Sequence, residues 1–178
     1  TVTASVSDKA GNPASVDHTL TVDVTVPAVT IHTVAGDDVI NVAEHNQAQI
    51  ISGSATGAAA GDTVSVTVGG KSYTATVGSD LKWSVTIPSA DLQAFGDGDL
   101  TFSASVTNAH GNTGTGEREI AIDANLPGLR VNTVAGDDVV NTIEHAQNLI
   151  VSGSSDGLAS GSALTVTVNG KIYAATVL

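Results

Sequence analysis

The sequence predicts an all-β chain arranged as a tandem array of small Greek-key β-sandwiches, and three observations predict it. Thr33-Val-Ala-Gly-Asp-Asp-Val39 recurs unchanged as Thr133-Val-Ala-Gly-Asp-Asp-Val139, an offset of 100 positions. Apolar and polar residues alternate over short runs, which is the period of a half-buried strand. Gly, Asn, Asp and Pro clusters separate those runs at the close spacing of sandwich strands. A fixed period of this length makes each unit a small domain rather than a solenoid rung.

The offset holds wherever the chain can be compared. Asn41, Glu44, His45 and Gln47 return as Asn141, Glu144, His145 and Gln147. Ser52-Gly53-Ser54 returns as Ser152-Gly153-Ser154, and Gly70-Lys71 with Tyr73 as Gly170-Lys171 with Tyr173. Residues 1–27 align with 101–127 without a gap. The phase is set by Pro27 and Pro127, because proline cannot donate to a ladder and suits a linker or a strand start. One whole repeat is therefore expected at 28–127. Residues 1–27 would be the last strands of a preceding repeat, and 128–178 the first part of a following one.

Within 28–127 the elements read in order. Val29 to Val34 alternates and predicts the first strand. Ala35 to Gln47 reads as a loop rich in oxygen-bearing side chains. Gln49 to Ala55, Thr63 to Val68 and Lys71 to Val77 predict three more strands. The last two are joined at Gly69-Gly70, which becomes Asn169-Gly170 in the next repeat, a strong type I′ hairpin signal. Lys82 to Ile87 is a strand stopped by Pro88. Ser89 to Phe95 predicts a helical turn or two with Ser89 as N-cap. Gly96 to Asp99 reads as a tight loop. Leu100 to Asn108 and Glu117 to Asp123 form the last pair, joined by a turn at His110 to Gly116. About seven short strands in about 100 residues is the pattern of an immunoglobulin-like sandwich. The chain has no cysteine, so the disulfide of antibody domains and thiolate metal sites are both excluded.

The formal net charge is −12, from 18 acidic and 6 basic residues. Such a surface argues against nucleic acid and anionic lipid as partners and favours cations. No apolar run approaches the length of a membrane span.

The run Thr-Val-Ala-Gly-Asp-Asp-Val-Ile-Asn-x-x-Glu, the Val-x-Gly-Lys-x-Tyr hairpin, the Trp-Ser-Val-Thr-Ile-Pro strand and the Asp-x-x-x-Pro linker carry a resemblance. They resemble bacterial immunoglobulin-like repeats, and more narrowly the extender repeats of giant type-I-secreted RTX adhesins of the biofilm-associated and ice-binding kind. The resemblance implies calcium at the joints between domains and a stiff spacer at the bacterial cell surface. It spans the whole chain, which lacks the Gly-Gly-x-Gly-x-Asp nonapeptides of a calcium β-helix.

Calcium takes six to eight oxygens from carboxylates, amides and carbonyls. In a seven-strand sandwich the acids of the first loop and of the last strands gather at one pole. The expected ligands are therefore Asp37, Asp38, Asn41, Glu44, Asp97, Asp99 and Asp123. Asp23 of the incoming linker lies at the opposite pole beside the Asn108 to Asn112 turn, and Asp137, Asp138 and Glu144 are the repeat counterparts. Asp8 of the first tail becomes Asn108, so an ion at that turn would not be common to all repeats. The loop lacks EF-hand spacing.

His45 and His145 recur after Glu, but no second histidine recurs at ligand spacing. A solvated loop histidine or a cap is the better reading than zinc. No nucleophile elbow or cleft-lining pair points to an enzyme, and Tyr73, Tyr173 and Trp83 read as packing residues. The expected function is a non-enzymatic spacer whose partners are neighbouring repeats. Head-to-tail strand pairing between molecules through exposed sheet edges is a further expectation. The alternative is a module that itself binds a glycan or protein. It would need an exposed aromatic or a loop that differs sharply between repeats, whereas here the loops repeat and the aromatics are few.

Overall fold

The structure, a computed structural model, describes residues 1 to 178. The chain opens on a hairpin of β1 (Val2–Ser7) and β2 (Pro13–His18). A linker without strand or helix follows over residues 19 to 27. Then come β3 (Ala28–Ile31), β4 (Val39–Asn41), α1 (Val42–His45), β5 (Gln49–Thr56), β6 (Thr63–Val68) and β7 (Lys71–Thr76). After these lie β8 (Lys82–Ile87), α2 (Ser89–Leu92), β9 (Gly98–Thr107) and β10 (Thr113–Asp123). The last part holds β11 (Gly128–Val131), a 3-10 turn (Glu144–Ala146), β12 (Gly153–Asp156), β13 (Ala163–Val168) and β14 (Lys171–Thr176).

Elements β3 to β10 make the sandwich. One sheet runs β4-β10-β9-β6-β7 and the other β3-β5-β8. Alternation decides what faces inward. In β6, Val64, Val66 and Val68 are buried while Thr63 and Thr67 are exposed, and in β9 the buried set is Phe102, Ala104 and Val106. All 19 members of the buried apolar cluster lie between Val29 and Ile122. Each fully buried Val, Ile, Leu or Phe contributes about 1.5–3 kcal/mol, so the driving force for folding is concentrated here. The same stripes are open in the flanking hairpins. Val6 is 69% exposed where its counterpart Val106 is 1% exposed. The Asn169-Gly170 turn has φ of 47° and 79°, both positive as a type I′ hairpin requires.

Three sequence expectations need correcting. Ala35 to Gln47 is not all loop, because β4 pairs parallel with β10 and Ile40 is fully buried. The first strand is thus split between the two sheets, β3 in one and β4 in the other. The last turn is shorter than His110 to Gly116, since β10 begins at Thr113. Gly114 and Gly116 are strand residues rather than turn residues. A Cβ on either would strike the carbonyl of Pro27 or Val29, so glycine lets the linker and β3 cross β10 closely. Finally, the N-cap of α2 is Pro88, not Ser89.

Candidate functional site

The pole where the chain leaves the sandwich brings four of the eleven expected ligands, Asn41, Asp97, Asp99 and Asp123, onto neighbouring strand ends. Asp123 pairs with Asn41 across β10 and β4, and Ile122 pairs with Gly98 across β10 and β9. Continuing that register by one residue sets Asp97 beside Asp123. Asn41, Asp123 and Asp97 therefore end three adjacent strands in a row, with Asp99 opposite Ala121 just inside. Asp97 grips the departing linker. One carboxylate oxygen accepts from the Ala124 N–H at 2.8 Å, and the other accepts from the Asn125 side-chain amide. Asp123 accepts from the Asn125 N–H at 3.4 Å.

The first loop spends its oxygens locally. Asp38 sits at φ 66°, in the left-handed region that Asp tolerates better than most residues. Its carboxylate accepts from the Val34 N–H at 3.0 Å and from Arg118 Nε at 2.6 Å, and it is also paired with Arg118 Nη2. The hydrogen-bonded Arg118 guanidinium is the main cause holding the Asp38 carboxyl below its usual range. Arg118 also donates to Ile31 O and Thr33 Oγ1, so it ties the loop to both β3 and β10. Asp37 accepts from the Val39 N–H at 3.0 Å. Asn41 and Glu44 form a capping box on α1. Asn41 Oδ1 accepts from the N–H groups of Ala43 and Glu44, and Glu44 Oε2 accepts from the Asn41 N–H. The second copy of the loop repeats the bonds internal to the loop, though not the arginine pair, through Asp137, Asp138, Asn141 and Glu144. Its shape is therefore encoded within the loop.

Sequence reasoning missed both Arg118 and the capping role of Asn41 and Glu44. The Asn-x-x-Glu spacing is a signal that could have found the second. For His45 the structure selects the cap from the two readings that the sequence left open. Its Nε2 lies 2.8 Å from Leu92 O and 3.2 Å from Phe95 O, so the ring donates to carbonyls at the end of α2. This is a cap on a neighbouring element, not a metal ligand. The same segment is held from its other side by Asp91, which pairs with Lys71 and accepts from Tyr73 OH at 2.6 Å. Partial burial, then the Asp91 carboxylate, push the Tyr73 phenol up to about 12. Leu92 is fully buried beneath. The pole is thus braced around Asp97.

At the opposite pole the incoming linker meets the 108–112 turn. Asn108 Nδ2 donates to Thr25 O and Asn112 Nδ2 to Asp23 O, each at 3.1 Å. His110 Nδ1 lies 2.8 Å from the Asp23 carboxylate. Asp23 is held below its usual range, chiefly by the Thr25 backbone N–H and less by His110. Pro27 is buried, its ring against Gly57 and Gly114.

No three His, Asp or Glu side chains stand close enough together to hold a metal ion unaided. The donors at the departing pole are all oxygens, which suits a hard cation such as calcium and not zinc. No helix is long and apolar enough to cross a membrane.

The chain matches no protein-family model and no curated protein by sequence. It is similar to solved structures. One is a Ca2+-stabilised adhesin that helps an Antarctic bacterium reach out and bind ice: 34% identity, TM-score 0.56, covering 98% of this chain and 44% of that one. A second comes from a 1.5-MDa bacterial ice-binding adhesin: 31% identity, TM-score 0.53, covering 98% of this chain and 58% of that one. A third is a bacterial immunoglobulin-like domain from the M. primoryensis ice-binding adhesin: 37% identity, TM-score 0.47, covering 56% of this chain and 99% of that one. The chain spans less than two thirds of the first two. With 34% and 31% identity running along 98% of its length, at TM-scores of 0.56 and 0.53, the chain belongs to the bacterial immunoglobulin-like extender repeats of large RTX adhesins.

Proposed function

We propose that this chain is a spacer segment of a cell-surface adhesin, outside the cell, whose joints are stiffened by Ca2+ so that the array projects an adhesive tip. The observation that carries this reading is the grip on the linkers. Asp97 holds the start of one linker, and Asn108 and Asn112 hold the end of the other. A chain whose linkers are hydrogen-bonded to the domains beside them behaves as a rod rather than as beads on a string. Calcium would balance the negative charge of Asp97, Asp99 and Asp123 at the departing pole, and Asn41 would add a neutral oxygen. Asp23 is the proposed contribution of the linker, with Asp37 and Asp137 in the two copies of the loop. Asp38, Asp138 and Glu44, Glu144 complete the proposed set, with Asp38 the least available because Arg118 is paired with its carboxylate.

An ion that binds only the folded, aligned state stabilises it by mass action, about 2.7 kcal/mol when free calcium is one hundred times Kd. Extracellular calcium is millimolar, which matches the weak affinity of such modules. The similarity to a Ca2+-stabilised adhesin supports the same reading. The test is a thermal melt with calcium titrated against magnesium and chelator, together with small-angle scattering. A saturable, calcium-selective rise in melting temperature and a longer maximum dimension are expected. Asp97→Asn with Asp123→Asn should abolish both effects while the fold persists. Identical melts and scattering with calcium and with chelator would overturn the proposal.

A further inference from the structure

The two copies of the β9–β10 type turn share one backbone and differ in their side chains. Lys9 and Ala10 stand where the later turn has Ala109 and His110, the latter paired with Asp23, and Asp8 stands where it has Asn108. Asp8 N–H and Asn108 N–H each donate across the turn to Asn12 O and Asn112 O at 3.0 Å, and Gly11 and Gly111 adopt φ of 88° and 85°. In each turn one side-chain oxygen of the first residue accepts from two backbone N–H groups. Asp8 Oδ1 takes those of Ala10 and Asn12, and Asn108 Oδ1 those of His110 and Asn112. The second side-chain atom sets them apart. Asp8 Oδ2 captures the Asn12 amide at 2.7 Å. Asn108 presents a donor instead, which leaves the Asn112 amide free to turn outward. Both amides then reach linker carbonyls, Thr25 O and Asp23 O.

We infer that the joint ahead of residue 28 is held by these two amide donors, so that it keeps its orientation whether or not an ion is bound at Asp23. An aspartate at position 108 cannot make the brace. Its oxygen would face the Thr25 carbonyl, acceptor against acceptor, and would draw the Asn112 amide back into the turn as Asp8 does with Asn12. The Asp23 carbonyl would then lose its donor as well. A repeat with asparagine here supports its own joint, and a repeat with aspartate, as at Asp8, must find another cation or donor. The array is thus built of unequal joints, with stiffness written in one side chain per repeat. The aspartate half of this contrast rests on the calcium reading above, and the asparagine half does not.

The experiment measures 15N order parameters of residues 23 to 26 in the full chain, with chelator and with calcium, for the parent, Asn108→Asp and Asn112→Ala. The fold of Asn108→Asp is safe, because Asp8 closes the same turn in the same chain. In the parent, order parameters near 0.85 are expected in both conditions, as in rigid backbone. In chelator, Asn108→Asp should drop toward 0.6 or below. Asn112→Ala, which adds no charge, should loosen the linker equally with and without calcium. Calcium that restores Asn108→Asp supports both the brace and the calcium reading. A variant that stays loose in calcium supports the brace and counts against calcium at this turn. A parent linker that loosens in chelator, or variants as ordered as the parent, overturns the inference.

Discussion

His45→Ala is the perturbation whose size follows most directly from the structure. The ring N–H of His45 is shared between Leu92 O and Phe95 O, both part-buried carbonyls beyond the last turn of α2. Leu92 O also accepts from the Phe95 N–H at 2.9 Å, so Phe95 O is the acceptor left without a partner when the ring is removed. A hydrogen bond contributes a net 0.5–1.5 kcal/mol, and a fully buried unsatisfied group costs about 1–3 kcal/mol. One lost donor and one part-buried carbonyl left unsatisfied therefore give a loss of about 1–2 kcal/mol. The only extensive core is the 19-residue cluster, so a thermal melt reports on a domain of about 100 residues. At that size 1 kcal/mol moves the melting temperature by 4–8 °C, which predicts a fall of roughly 5–15 °C. His145→Ala is the internal control. His145 makes no side-chain hydrogen bond to a second helix, and its removal should leave the melt unchanged. An unchanged melting temperature in His45→Ala, or an equal fall in both variants, would refute the reasoning.

Two pH predictions follow from the same geometry. The Tyr73 phenol is raised to about 12 from 10.0, so the folded state favours its protonated form. Its contribution is full below pH 10 and is lost as pH rises from there through about 12. Tyr73→Phe should be less stable at neutral pH by under about 1 kcal/mol, since the bond is partly solvated, and should lack that alkaline loss. Melting curves across this window measure it. Asp38 is depressed below 3.8 by Arg118, so its contribution is present above that value and is lost as pH falls through the lower folded value. Arg118→Met should therefore be less stable at neutral pH but lose less on acidification, and an unchanged acid limb in circular dichroism would count against the pair.

What was legible in the sequence was what repeats at short range. Val64, Val66 and Val68 alternate with threonine and serine, and nothing distant is needed to see which face is buried. The Asn-Gly turn and the position of the linker beside the 108–112 turn were legible for the same reason. What escaped depended on a choice between partners. Asn41 and Glu44 bear oxygens on a stretch that looks like a ligand loop, yet the same spacing is a helix cap. The backbone N–H groups one turn away compete for those oxygens before any ion can. Asp38 escaped because its partner is 80 residues distant, on a strand where Arg118 between two glutamates looks like ordinary surface. For His45 the choice between cap and solvated loop residue stayed open, because both have the same local sequence and the capped carbonyls lie 47 and 50 residues away. The common cause is that composition reveals how many acceptors a loop carries, while only tertiary contact reveals which are already satisfied. That distinction also bears on the calcium proposal. Asp38 and Glu44, which look metal-like by sequence, are held by an arginine and by a helix cap within their own loop. The less conspicuous Asp97 and Asp123 lie side by side where the chain departs, which is why they are the residues to substitute first.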